Sequence, residues 1–145
     1  MSLPPASLCR VNGTVVDPAG AETGGPRADE RPGVGRVGED AALRCYRDRG
    51  YELVARNWRC PLGEIDLVIS RGGLLVFCEV KTRSGSAFGG GFEAVGPRKQ
   101  RKLRQLAEVF LLANRLRPAR ARFDVASVHV PRGRGASVEL FEDAF

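Results

Sequence analysis

Histidine is almost missing from this chain: His129 is the one such residue in 145. The four cysteines, Cys9, Cys45, Cys60 and Cys78, stand apart with no C-x-x-C pair among them. These scarcities argue against a zinc site of ordinary ligand spacing. They also leave a Ser-His-Asp or Cys-His centre with His129 as its one available base. His129 lies between Val128 and Val130, where packing or hydrogen bonding is the simpler role. A chain of this length with 43% hydrophobic residues has no need of covalent staples, so the cysteines are expected to be buried free thiols. No apolar run approaches the ~18 residues of a membrane-spanning helix. The first nine residues lack the basic segment and long apolar stretch of a secretory signal, so the expected setting is cytoplasmic, with no membrane partner.

Lysine is scarce too. Of 23 basic residues 20 are arginine, and Lys81, Lys99 and Lys102 are the three lysines. In so Arg-rich a background a lysine points to a position where a compact, titratable ammonium does what a planar guanidinium cannot. The net charge of +6 is unevenly placed: between Arg98 and Arg122 nine basic residues face one acid, Glu108, which leaves the rest of the chain at −2. A local positive field is the usual footprint of a polyanion partner, nucleic acid first. A solvated helix face is the plainer alternative. The densest part, Arg98, Lys99, Arg101, Lys102 and Arg104, supplies the candidate nucleic-acid contacts.

The length favours a single domain. Residues 1–33 hold five of the nine prolines and no apolar periodicity, which predicts a flexible tail before a domain over 34–145. Helical spacing appears over 35–49, with Gly50 placed as a C-terminal stop. Three strand-like runs follow, at 51–59, 64–70 and 74–83. The breaks between them are too short for parallel crossovers, so they predict an antiparallel meander. The stretch 84–96 contains F-G-G-G-F and predicts a loop. A long amphipathic helix is expected over 97–116, with Leu103, Leu106, Ala107, Phe110 and Leu111 on its apolar face. Pro97 suits its first turn, and its basic N-terminal half coincides with the positive end of the helix dipole. Two final strands are expected at 122–130 and 137–141. The order helix, three strands, helix, strand, strand suits an α/β sandwich, a mixed sheet flanked by helices.

Within the meander lie G-E-I-D-L-V (63–68) and F-C-E-V-K-T-R (77–83). Alternation puts Leu75, Phe77, Glu79 and Lys81 on one face of the third run, so two charges continue an otherwise apolar face. A hairpin turning near Gly72-Gly73 brings Asp66 and Glu79 to neighbouring strands, where their oxygens suit a hard cation. Mg²⁺ commonly takes only one or two carboxylates, with water and substrate phosphate completing its shell. Such an ion acidifies a bound water and neutralises charge on a phosphoryl oxygen, while Lys81 would orient the water or stabilise the transition state. Glu39, on the first helix, could join as a third carboxylate, and Glu64 shares a strand face with Asp66. The competing readings are ordinary ones. Glu79 and Lys81 could pair across the sheet, Glu39 could be a first-turn acid favoured by the helix dipole, and Trp58 and Phe92 could pack rather than stack on bases.

The D-x12-E-x-K arrangement with a preceding helical glutamate resembles the PD-(D/E)xK nuclease superfamily. G-E-D-A-A (38–42), G-Y-E-L-V-A-R-N-W-R (50–59), G-E-I-D-L-V, V-F-C-E-V-K-T-R, Phe88-Gly89, Lys99 and R-F-D-V (122–125) are together similar to the YraN family of endonuclease-like proteins, related in fold to archaeal Holliday junction resolvases. Ile65 stands where the superfamily's proline would be. The resemblance implies a restriction-endonuclease-like fold. Glu39, Asp66 and Glu79 would be ligands for Mg²⁺ or Mn²⁺, with the Val80 carbonyl a further donor and Lys81 the catalytic lysine. It implies cleavage of branched or structured DNA, with a non-catalytic nucleic-acid-binding module as the alternative. Related junction-cutting enzymes act as dimers, so a homodimer is admitted.

Overall fold

The computed structural model describes residues 8–11, 14–16, 33–84, 95–131 and 135–145. In chain order its elements are β1 (Leu8–Val11), β2 (Thr14–Val16), α1 (Val34–Asp48), β3 (Glu52–Cys60), β4 (Gly63–Arg71), β5 (Leu74–Ser84), α2 (Pro97–Ala113), β6 (Arg120–Val130) and β7 (Ser137–Phe141). All seven strands join one mixed sheet in the order β2-β1-β7-β6-β5-β4-β3. The expected meander is present, with β3–β4 and β4–β5 antiparallel. β5 and β6 pair in parallel, as the crossover through α2 allows. The expected α/β class with a mixed sheet and flanking helices is what the chain adopts.

Two expectations need correction. Residues 8–11 and 14–16, read as part of a tail, are strands: β1 pairs in parallel with β7 and antiparallel with β2. The composition of 1–33 hid them because they are only four and three residues long, too short to show alternation. Among the described residues β2 pairs only with β1, and the strand that ties β1 to the sheet, β7, is distant in sequence. Cys9 and Cys45, expected as free thiols, form a disulfide between β1 and α1, with Cα atoms 6.0 Å apart. Cys60 and Cys78 are free, Cys78 buried. The predicted loop at 84–96 falls mostly outside the described residues, and Phe88, Gly89 and Phe92 with it.

The helices cover opposite faces. α1 contributes Ala41, Ala42, Leu43, Cys45 and Tyr46 to a core with Leu67, Ile69, Val76, Cys78, Ala126, Val128, Val138 and Leu140. α2 contributes Leu103, Leu106, Ala107 and Phe110 to a second core with Ile65, Val68, Leu75, Phe77 and Val125. Two glycines shape α1. A Cβ on Gly38 would stand 1.9 Å from Thr82 Oγ1, so only glycine admits this close approach of helix to β5. Gly50, at φ +87°, ends the helix as expected, with its N–H bonded to the Arg47 carbonyl at 3.0 Å. α2 starts at Pro97 as predicted but stops at Ala113, where the Asn114 side chain donates to the Phe110 carbonyl at 2.8 Å. Among the described residues no helix is long and apolar enough to cross a membrane.

Candidate metal and phosphate site

The site forms where β4 and β5 part. Their last ladder pair is Leu67 with Cys78. Beyond it the Val80 N–H donates to Asp66 Oδ2 at 2.8 Å, so a side chain takes the place of the next carbonyl. Ile65 and Leu67, which flank Asp66, pack in cores on opposite sides of the sheet. β4 therefore breaks its alternation at Asp66, a departure that period-2 patterning does not foresee. On β5 alternation holds: Leu75 and Phe77 lie in the α2 core, while Leu74, Val76, Cys78 and Val80 face α1. Glu79 continues the α2 side.

Here a cavity of about 670 Å³ opens. Glu64, Asp66 and Glu79 form one wall, Arg98, Lys99 and Lys102 the other, and Leu103 and Leu106 supply its apolar part. The basic wall is one face of the first two turns of α2, because residues three and four apart on a helix are neighbours. Lys99 Nζ reaches Glu79 Oε1 at 2.5 Å, with Glu79 mostly buried and Lys99 half-exposed. Arg59 pairs with Glu64 at 2.9 Å on the rim.

Burial first, and then the charge of Glu79, push the Asp66 carboxyl up to about 7, a net position in which the Val80 N–H pulls it down and Glu39 and Glu64 add smaller upward pushes. An acid held near neutrality by desolvation and like charge binds either a proton or a cation, and a divalent ion would shift the balance to the carboxylate.

The expected residues divide. Asp66, Glu79 and Glu64 converge on the cavity with Arg98, Lys99 and Lys102. Glu39 lies in a neighbouring cavity of about 430 Å³, where it accepts bonds from Arg56 Nε at 3.2 Å and Asn57 Nδ2 at 3.0 Å. Arg56 also bonds Asp40 at 2.5 Å. Burial pulls its guanidinium's pKa down, but Asp40 and Glu39 outweigh that and hold it above its ordinary value. Glu39 sits in the second turn, not the first, because α1 begins at Val34. Lys81 is half-buried on β5 and is not among the residues lining the main cavity. The basic cluster also splits: Arg104 stacks over the rings of Phe123 and Phe145 at 5.0 and 5.7 Å, and Arg101 is exposed away from the cavity. Trp58 packs edge-on against Phe110 at 5.2 Å, a core role.

The sequence reading gave Asp124 no role. This carboxylate is fully buried and accepts from Tyr46 Oη at 2.7 Å, from Arg122 Nε and Nη2 at 2.8 Å each, and from the Asp143 N–H at 3.0 Å. Arg122 also donates to Tyr51 Oη at 3.2 Å. Burial lowers the pKa of Arg122, but Asp124 more than offsets it, so the guanidinium stays charged. The signal was available: Arg122 and Asp124 alternate on an apolar strand just as Glu79 and Lys81 do.

Among the described residues no three His, Cys, Asp or Glu side chains close into a metal-binding cluster. The donor set that fits a hard cation is therefore Asp66 with Glu79, an all-oxygen pair of the size Mg²⁺ accepts, with Glu64 at its edge. Fold and cavity together define an α/β protein with paired carboxylates facing a basic helix terminus. The model of the uncharacterised protein family UPF0102 matches residues 38–128, and the chain belongs to that family. It is 49% identical over 112 residues to a UPF0102 protein of Parafrankia sp. strain EAN1pec, spanning 77% of this chain and 95% of the relative. The corresponding protein of Moorella thermoacetica is 46% identical over 112 residues, covering 77% and 93%, and that of Streptomyces griseus 48% over 109, covering 74% and 91%. β1, β2 and β7 lie outside the matched span.

Proposed function

We propose that the chain is a divalent-metal-dependent nuclease of the PD-(D/E)xK type, hydrolysing phosphodiester bonds in branched or otherwise structured DNA. The observation that carries this reading is the opposition of Asp66 and Glu79 to Arg98, Lys99 and Lys102 across one cavity. The Mg²⁺ or Mn²⁺ would supply a water of lowered pKa and neutralise charge on the phosphoryl oxygen. Asp66 and Glu79 hold it, Asp66 fixed in place by the Val80 N–H. Arg98 and Lys102 take the flanking phosphates at the positive end of α2. Lys81, on β5, is assigned the stabilising ammonium by resemblance. The test is a cleavage panel of branched and linear DNA with Mg²⁺ or Mn²⁺. Asp66→Ala is expected to abolish cleavage while the protein stays folded, and an Asp66→Ala protein that cuts as well as wild type overturns the assignment.

One observation favours the alternative, a nucleic-acid-binding module without catalysis. Glu39 is engaged by Arg56 and Asn57, and among the described residues no three carboxylates close into a metal-holding group. Binding retained in EDTA with no products under Mg²⁺ or Mn²⁺ selects that alternative.

A further inference from the structure

We propose that Lys99 is a resident counter-ion of Glu79 that exchanges with the divalent cation, and that its released ammonium then contacts the nucleic-acid phosphate. The inference rests on the two-carboxylate reading of the cavity and deepens it, because it couples cation binding to nucleic-acid binding through one side chain.

Several features support it. Lys99 Nζ lies 2.5 Å from Glu79 Oε1 on an oxygen that a cation would need. A largely buried carboxylate without a cation needs a compensating positive charge, and Lys99 provides it from the first turn of α2. The pair is also unequal. Glu79 is 13% exposed and held on a central strand, whereas Lys99 is 51% exposed at the cavity mouth. When Glu79 turns to a cation, Lys99 is the member free to swing outward, on a flexible four-carbon stem. Arg98 and Lys102 stand beside it on the same wall, so the released charge extends a surface already suited to phosphate. Lysine, scarce in this chain, fits the role because a compact ammonium can alternate between one carboxylate oxygen and one phosphate oxygen.

The exchange makes Lys99 a positioning residue with two measurable signatures. In the full chain without DNA, Lys99→Met removes the competitor and is expected to tighten Mn²⁺ binding about fivefold or more by calorimetry. Lys102→Met, which takes a charge from the same wall, is expected to tighten it less. For binding to a branched DNA, Lys99→Met is expected to leave the salt dependence unchanged in EDTA, where Glu79 holds the ammonium. With Ca²⁺ present the same variant is expected to flatten the log–log salt slope by about one phosphate contact. Unchanged or weaker Mn²⁺ binding in Lys99→Met, equal gains in Lys99→Met and Lys102→Met, or equal slope losses in EDTA and Ca²⁺ overturn the exchange. Asp66→Asn separates the levels. If wild type binds Mn²⁺ and Asp66→Asn does not, those results bear on Lys99 alone. If both bind Mn²⁺ alike or not at all, the two-carboxylate site fails and the exchange is overturned with it.

Discussion

One sheet carries two clusters of charge, one under each helix, and they treat their carboxylates in opposite ways. On the α1 side Asp124 is fully buried, yet four donor groups on Tyr46, Arg122 and Asp143 surround it. On the α2 side Asp66 has one backbone donor and the charges of Glu79, Glu39 and Glu64 around it, beside a cavity open to solvent. The difference is one of compensation: Asp124 is a satisfied buried ion that ties elements together, whereas Asp66 is under-compensated beside open solvent. Burial alone would have ranked Asp124 as the more suspicious residue.

The contrast breaks most visibly on the α1 side. Asp124→Ala leaves the buried Tyr46 hydroxyl without its acceptor and the half-buried Arg122 with only Tyr51 and Glu142, a change expected to cost about 3 to 5 kcal/mol in urea unfolding. It would loosen α1, β6 and the C-terminal turn together. A loss below about 1 kcal/mol would show that the cluster does not hold these elements. Next in size is the disulfide, which fastens β1 to the same helix. Cys9→Ser opens a link spanning 36 residues, and the loss expected from loop closure is about 2 to 4 kcal/mol under oxidising conditions. In excess reductant wild type and Cys9→Ser should unfold alike. A difference that persists there would assign the effect to core packing rather than to the bond.

Local order was legible in the sequence to the extent that it repeats with a period. The meander, both helices and the last two strands follow from apolar spacing and from Pro and Gly at the breaks. So does the meeting of Asp66 and Glu79, since a tight turn at Gly72-Gly73 fixes the register of β4 on β5. What the sequence concealed depends on contacts between distant segments. β1 and β2 are too short to pattern and exist because β1 pairs onto β7 and β2 onto β1. The Cys9–Cys45 link needs those strands in place. The division of the basic cluster into Arg98, Lys99 and Lys102 facing the cavity and Arg104 stacked on Phe123 depends on how α2 rotates over the sheet. The resemblance grouped Glu39 with Asp66 and Glu79. In the fold Arg56 and Asn57, from the bulged edge strand β3, hold it in the adjoining cavity.

The smallest expected effect concerns the α2 side and has the opposite sign to the others. The Asp66 carboxyl is held at about 7 in the fold against 3.8 as its ordinary value. Between those values the folded chain binds more protons than the unfolded one, so stability falls as pH rises through that window. Above about 7 the full penalty of an ionised Asp66 is present, and below about 4 it is gone. Asparagine mimics the protonated acid and still accepts from the Val80 N–H. In the absence of divalent ions Asp66→Asn should therefore be more stable than wild type by about 1 to 2 kcal/mol at pH 8, given the solvent that reaches the cavity. The two should converge near pH 4. Adding Mn²⁺ at pH 8 should narrow or reverse the ranking, because only the wild-type pair gains stability from binding it. A variant that is less stable than wild type at every pH would place Asp66 with Asp124, as a carboxylate whose work is to hold the fold.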